Sequence, residues 1–266
     1  MAFELSERQS TANGPRCVVS KAVVIKTGVP QGSVLSPTLF AWYLQDIPQP
    51  KDEQVKLIIY ADDITIYAQS TDRKDAGARI NRYLDELSPY LKKKQLFVST
   101  GKCASILFST WSKEWKEPLG IKLSNADIPT VDSLKLLGVT LDHSLTFHEH
   151  ITGVNQKALK WTNAIKAICS RKHGLKRKEG TTIYKAMLKS TLNYGAATWA
   201  PNVSETNWKK LEARQNDGLR AVTGCLKMSP ADRIRTDNVY SHKRELQHDC
   251  LSVRSGSTTK SGTPLS

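Results

Sequence analysis

Cysteine is too scarce and too poorly spaced in this 266-residue chain to build a framework. The five are Cys17, Cys103, Cys169, Cys225 and Cys250, an odd number with no C-x-x-C pair, which argues against both a disulfide scaffold and a zinc knuckle. The HEH at 148–150 lacks the four-residue helical spacing of a zinc site and any neighbouring cysteine, so it reads as structural. No apolar run approaches the roughly 20 residues needed to cross a bilayer, and no charged-then-apolar leader opens the chain. The expectation is an intracellular protein, of nucleus or cytoplasm, with no membrane partner. Acid is short as well. Asp and Glu number 25 against 39 Lys and Arg, a net charge of +14, which points to a polyanionic partner.

What is present is enough for a core, since 39% of the residues are apolar. The most informative stretch is LIIYADDITIY at 57–67. Leu57–Tyr60 and Ile64–Tyr67 are aliphatic, β-branched or aromatic, as strands prefer, and Asp62 and Asp63 lie between them, so the pattern predicts a β-hairpin with the acids at or beside its tip. Two readings stand side by side. One is a solvated acidic turn. The other is a metal site: two carboxylates about 5 Å apart repel by about 3 kcal/mol at an effective dielectric of roughly 20, and hard Mg²⁺ turns that repulsion to use.

Upstream, GVPQGSVLSPTLFAWYLQDIP at 28–48 combines a loop bearing Gly28, Pro30 and Gly32 with a predicted helix. Ser36 is expected as its N-cap with Pro37 in the first turn, Leu39, Phe40, Tyr43, Leu44 and Ile47 as its apolar face, and Pro48 as its stop. A long helix is predicted near 72–94 from Ile80, Tyr83, Leu84, Leu87 and Leu91, with Pro89 expected to break or bend it. Val154, Ala158, Trp161, Ile165 and Ile168 form another helical stripe, which Gly174 is expected to end. Trp161, Trp199 and Trp208 read as core or interhelix packing rather than base-stacking platforms. Basic residues concentrate at 171–189, and Lys92, Lys93 and Lys94 read as a solvated helix face. Beyond Pro230 the pattern collapses into a Ser/Thr/Gly-rich end, expected to be disordered, and no repeat is evident.

In combination, GVPQGSVLSPTLF followed by LIIYADDITIYA resembles motifs B and C of the reverse transcriptases of non-LTR retrotransposons, the broad jockey, I-factor and ingi-like group. STGKCASILFS at 99–109 is similar to motif D, a strand preceded by a lysine. LKLLGVTLDHSLTFHEHI at 134–151 is similar to the primer-gripping hairpin, and YKAMLKSTLNYGAATWAP at 184–201 with RAVTGC at 220–225 to the helical thumb. The likeness runs in order from residue 28 to about residue 228.

The resemblance implies an α+β fold, a partial right-hand palm followed by a helical thumb, with the fingers and first palm strand missing. It implies a lead-in at 1–27, a palm at 28–110, a primer-grip region at 111–151, a thumb at 152–228 and a tail at 229–266. The implied activity is RNA-directed DNA polymerisation, with an RNA template, a DNA primer and deoxynucleoside triphosphates as partners and Mg²⁺ as cofactor. Asp62 and Asp63 would hold metal. Pro30, Gln31, Gly32, Ser33, Tyr60 and Ala61 would line the nucleotide and template pocket, and Lys102 would protonate the departing pyrophosphate. Lys102 reads equally well as a solvated strand-end lysine. Arg171, Lys172, Lys176, Arg177 and Lys178 would track nucleic-acid backbone. Phe147 and His148 would stand near the primer, Phe147 more naturally as core. The family's motif A, an apolar strand ending in a metal-binding Asp, has no match before Gly28, where the only acids are Glu4 and Glu7. The alternative is therefore a catalytically dead remnant that at most binds nucleic acid through its basic thumb.

Overall fold

A computed structural model describes Gly28 and residues 32–109, 117–169 and 174–226. Mixed helices and small antiparallel sheets bear out the α+β expectation. Backbone contacts divide the chain into two units, one of residues 1–103 with 120–128 and the other of residues 104–119 with 129–266. The expected disordered end at 229–266 lies outside the described residues, as do Pro30, Gln31, Arg171 and Lys172.

The first unit begins with α1 (Ser36–Tyr43). Ser36 is not the N-cap: Leu35 holds that place in a helical conformation with no side-chain cap, because Pro37 needs no N–H partner there. Leu44 and Ile47 are buried on irregular turns after the helix, while Trp42 points to solvent. Strands β1 (Val55–Tyr60) and β2 (Asp63–Ala68) form the predicted hairpin. Helix α2 (Arg73–Lys93), capped by the Asp72 carboxylate, packs against β2 and buries Tyr83, Leu84, Leu87 and Leu91. Pro89 neither breaks nor ends it. Pro89 and Asp85, whose carbonyl a proline at 89 cannot bond, are both exposed residues. A two-residue-per-strand ribbon, β3 (Lys122–Leu123) and β4 (Ala126–Asp127), packs on the same helix, with Asn81 bonding the Gly120 carbonyl and the Lys122 N–H.

Polar staples tie these pieces together. The Tyr43 hydroxyl donates to the Lys94 carbonyl at 2.6 Å, and Lys94 Nζ lies 2.7 Å from Asp46, whose carboxylate also accepts from Tyr90. Hydrogen bonds from Lys94 and Tyr90 hold the Asp46 carboxyl below its ordinary range. Lys94 is thus a clamp between the ends of α1 and α2, unlike its solvated neighbours Lys92 and Lys93. Arg79 bridges Asp52 and Asp75, both at 2.6 Å, fixing α2 to the approach to β1.

The strand expected within 99–109 is absent. Ser105 makes a single parallel bridge to Thr130, its N–H donating to the Pro129 carbonyl and its own carbonyl accepting from Val131. The next ladder bond toward the N-terminus would need an N–H from Pro129, which has none. Strands β5 (Ser133–Leu136) and β6 (Val139–Asp142) form a hairpin leading into α3 (His148–Ile168). Helix α3 ends at Ile168 with Cys169 as its cap, earlier than Gly174. Helices α4 (Arg177–Ile183), α5 (Ser190–Asn193) and α6 (Ala196–Trp199) follow, with a π-helical turn over Tyr184–Lys189, and α7 (Glu205–Thr223) closes the bundle.

Helices α3 and α7 run side by side: His148 meets Asn207 at their starts, and Cys169 and Val222 flank Gly180 at their ends. Phe147, Ile151, Ala158, Leu188, Leu192, Trp199 and Leu211 form the core. A side chain at Gly218 would collide with Leu188, so this crossing demands glycine. Trp199 and Trp208 are buried as expected, and Trp161 is half-buried against the same core. Ile168, by contrast, is largely exposed.

His150 is a buried titratable group beside this core. Its Nδ1 accepts from the Thr140 N–H at 3.3 Å, which places the proton of the neutral ring on Nε2. Burial, then the charges of Lys157 and Lys135, push its pKa below the usual value. The unfolded chain therefore binds more protons below about pH 6.5, and stability falls as pH drops through that window. Wild type is expected to lose more thermal stability between pH 7.5 and pH 5 than His150→Gln. Equal losses in the two proteins would refute a buried neutral imidazole.

Candidate functional site

Tyr60 pairs with Asp63 across the first hairpin, so Ala61 and Asp62 form a two-residue tip. Ala61 takes the left-handed φ of 52° that such a turn demands, and a methyl group is the smallest side chain able to bear it there. Pairing also assigns the faces. Val55, Leu57, Ile59, Ile64, Ile66 and Ala68 lie on the buried or half-buried side. Lys56, Ile58, Tyr60, Asp63, Thr65 and Tyr67 share the other, and Tyr60 is 65% exposed. Asp62 and Asp63 are both exposed, one in the turn and one opening β2. Water screens their repulsion at such positions, well below what a buried pair would feel.

These four residues, Tyr60 to Asp63, are what the fold brings together. Gly32 and Ser33 stand on a separate loop of the same unit, Gly32 with φ of 86° and the Ser33 hydroxyl accepting from the Leu35 N–H at 3.4 Å. Lys102 closes a 3-10 turn, Thr100–Lys102, with its side chain exposed. In the second unit Lys176, Arg177 and Lys178 are exposed at the start of α4, where the Glu179 carboxylate accepts from the Lys176 N–H at 2.8 Å. Phe147 is 2% exposed and belongs to the core.

Two carboxylates supply hard oxygen donors of the kind Mg²⁺ takes, and that ion keeps several waters of its own. Among the described residues no three His, Cys, Asp or Glu side chains gather closely enough to hold a metal ion. The donor set therefore fits one side of an octahedral cation and no more. No helix among the described residues is long and apolar enough to cross a membrane.

Residues 15–141 match the family model for reverse transcriptase (RNA-dependent DNA polymerase). That stretch is similar to part of a reverse transcriptase domain. It is 29% identical over 221 residues to the RNA-directed DNA polymerase from mobile element jockey of Drosophila funebris, a match covering 81% of this chain and 23% of that protein. It is 28% identical to the probable RNA-directed DNA polymerase from transposon X-element of Drosophila melanogaster, covering 76% of this chain and 22% of the relative. The corresponding protein from transposon BS of the same species is 26% identical, covering 76% and 23%. The chain thus spans under a quarter of the length of these relatives. No solved structure gives a significant match.

Three features of the fragment escaped the sequence pattern. Asp142 gathers Thr146 N–H and hydroxyl and the Phe147 N–H at 2.9, 2.8 and 2.6 Å, organising the entry to α3. Burial pushes its carboxyl up, and those hydrogen bonds outweigh burial and hold it low. The Asp46–Lys94 clamp and the Tyr194 contact to the second hairpin complete the set. An Asp four residues before a Thr is a weak local signal for the first; the others join residues too far apart in sequence for any local signal.

Proposed function

We propose that this chain is the part of a non-LTR retrotransposon RNA-directed DNA polymerase that carries the second metal-binding motif and the primer-handling elements. Asp62 and Asp63 hold a divalent cation, Mg²⁺ by the chemistry of its ligands. Bound there, it would supply the Lewis acidity that primer extension requires. Tyr60 and Ala61 border the primer end. Pro30, Gln31, Gly32 and Ser33 shape the nucleotide and template pocket, and Lys102 holds a proton for the departing pyrophosphate. Residues 28–110 act as palm, 111–151 as primer grip and 152–228 as thumb, where Arg171, Lys172, Lys176, Arg177 and Lys178 follow the phosphate backbone of an RNA template and DNA primer.

The observation that carries this reading is the two-residue tip, which sets adjacent carboxylates at the exposed end of a hairpin supported by α2. A solvated turn would close more readily on Asn-Gly or Asp-Gly than on Ala-Asp with Ala61 left-handed. Mn²⁺ tests it without any catalysis. Titrated into isotopically labelled protein, Mn²⁺ is expected to broaden the amide signals of Tyr60–Ile64 first, and the double variant Asp62→Asn/Asp63→Asn is expected to lose that effect. Broadening that begins elsewhere, or survives in the double variant, would refute a cation site at the tip.

A further inference from the structure

The tip of the β5–β6 hairpin is held from outside by a distant tyrosine. Leu136 pairs with Val139, leaving Leu137 and Gly138 as a two-residue loop with φ of 45° and 87°. Such a turn suits the twist of the strands but favours Asn-Gly, and a leucine with left-handed backbone is strained. Tyr194 donates its hydroxyl to the Leu137 carbonyl at 2.7 Å. The two segments interlock through glycine. A Cβ on Gly138 would lie 2.9 Å from Tyr194 Cε1, and one on Gly195 would lie 2.8 Å from Val139 Cγ2. From the core side, the buried Trp199 indole donates to the Tyr194 carbonyl at 2.9 Å.

This clamp leaves apolar groups facing outward. The Tyr194 side chain is 57% exposed and Leu137 is 41% exposed, with exposed Lys135 two residues before the tip. Two side chains are far too small a surface for a protein partner, which needs about 800 Å² on each side. An aromatic face, an aliphatic group and an ammonium together match a single nucleotide, which offers an apolar base and sugar beside a phosphate. We propose that Tyr194 is a positioning residue: its hydroxyl fixes the strained Leu137–Gly138 tip so that Leu137 and the tyrosine ring form one ledge for the terminal nucleotide of a recessed primer 3′ end. This rests on the reading of residues 111–151 as the primer-contacting region.

The test uses the full chain and two fluorescent RNA–DNA hybrids of equal length, one blunt and one with a recessed DNA 3′ end. Wild type is expected to favour the recessed hybrid. Tyr194→Phe is expected to cut that preference by about three- to tenfold, the net worth of one hydrogen bond, with blunt-end affinity and salt dependence unchanged. A purely structural role would move thermal stability and leave the preference alone. Leu137→Gly removes the ledge while relieving the strained backbone, so it folds and is expected to lose the preference too; it decides the matter if Tyr194→Phe unfolds. A preference intact in a folded variant overturns the role of Tyr194 and Leu137. No preference in wild type overturns the primer-grip reading beneath it.

Discussion

Given an RNA template, an annealed DNA primer, deoxynucleoside triphosphates and Mg²⁺, the purified 266-residue polypeptide is expected to extend no primer. Nucleotidyl transfer with two metal ions needs enough carboxylates to hold both ions, which would steady the attacking and the leaving oxygen. The hairpin tip supplies Asp62 and Asp63, and no third acid, histidine or cysteine joins them among the described residues. Two exposed carboxylates hold a cation loosely, because each gives up hydration for little reduction in dielectric. The measurement is a gel-resolved extension assay against Asp62→Ala. Product that forms in wild type and vanishes in Asp62→Ala would show that this polypeptide completes the site by itself.

The two hairpin tips differ in ways that local physics explains. The first hairpin presents acids, hard donors suited to a cation, from a turn made tight by Ala61. The second presents an apolar ledge from a turn made tight by Leu137 and Gly138, with Lys135 near it. Both turns place a non-glycine residue in left-handed backbone, and each needs support that it does not generate itself. For the first, support comes from the buried face of the hairpin on α2; for the second, from Tyr194.

What could be read from sequence follows from how local each cause is. The first hairpin was legible because strand-forming residues flank turn-forming acids within eleven positions, and α2 because its apolar residues from Ile80 to Leu91 keep one face over about three turns. Burial of Trp199 and Trp208 was legible from their place in helical patterns. Pro89 does not break α2, because proline's cost in a helix depends on its surroundings and not on the string alone. The strand expected within 99–109 misled because its ladder on the N-terminal side of Ser105 depended on Pro129, 24 residues away. Lys94 looked like one of three solvated lysines, and only the folded proximity of Asp46 and the Tyr43 carbonyl separates it from the other two. Leu39, Phe40 and Tyr43 were expected as core with Leu44 and Ile47, yet only the last two are fully buried, since α1 ends at Tyr43 and the following turns point them inward.

Trp199→Ala is expected to lower the stability of the second unit by about 3–5 kcal/mol, the usual range for truncating a buried tryptophan. Trp199 is wholly buried, stands 5.8 Å from Trp208 and 5.9 Å from His150 between ring centroids, and sends its indole N–H to the Tyr194 carbonyl. Truncation would leave a cavity in the centre of the bundle and strip that carbonyl of its donor. Since domains are stable by only about 5–15 kcal/mol, the loss reaches a large share of the total. Trp42→Ala is the internal control: at 67% exposure it is expected to change stability by no more than about 0.5 kcal/mol. Urea unfolding followed by far-ultraviolet dichroism compares the two. A Trp199→Ala midpoint as close to wild type as that of Trp42→Ala would mean the bundle is not built around Trp199, and the Tyr194 clamp would lose the anchor from which it reaches the hairpin.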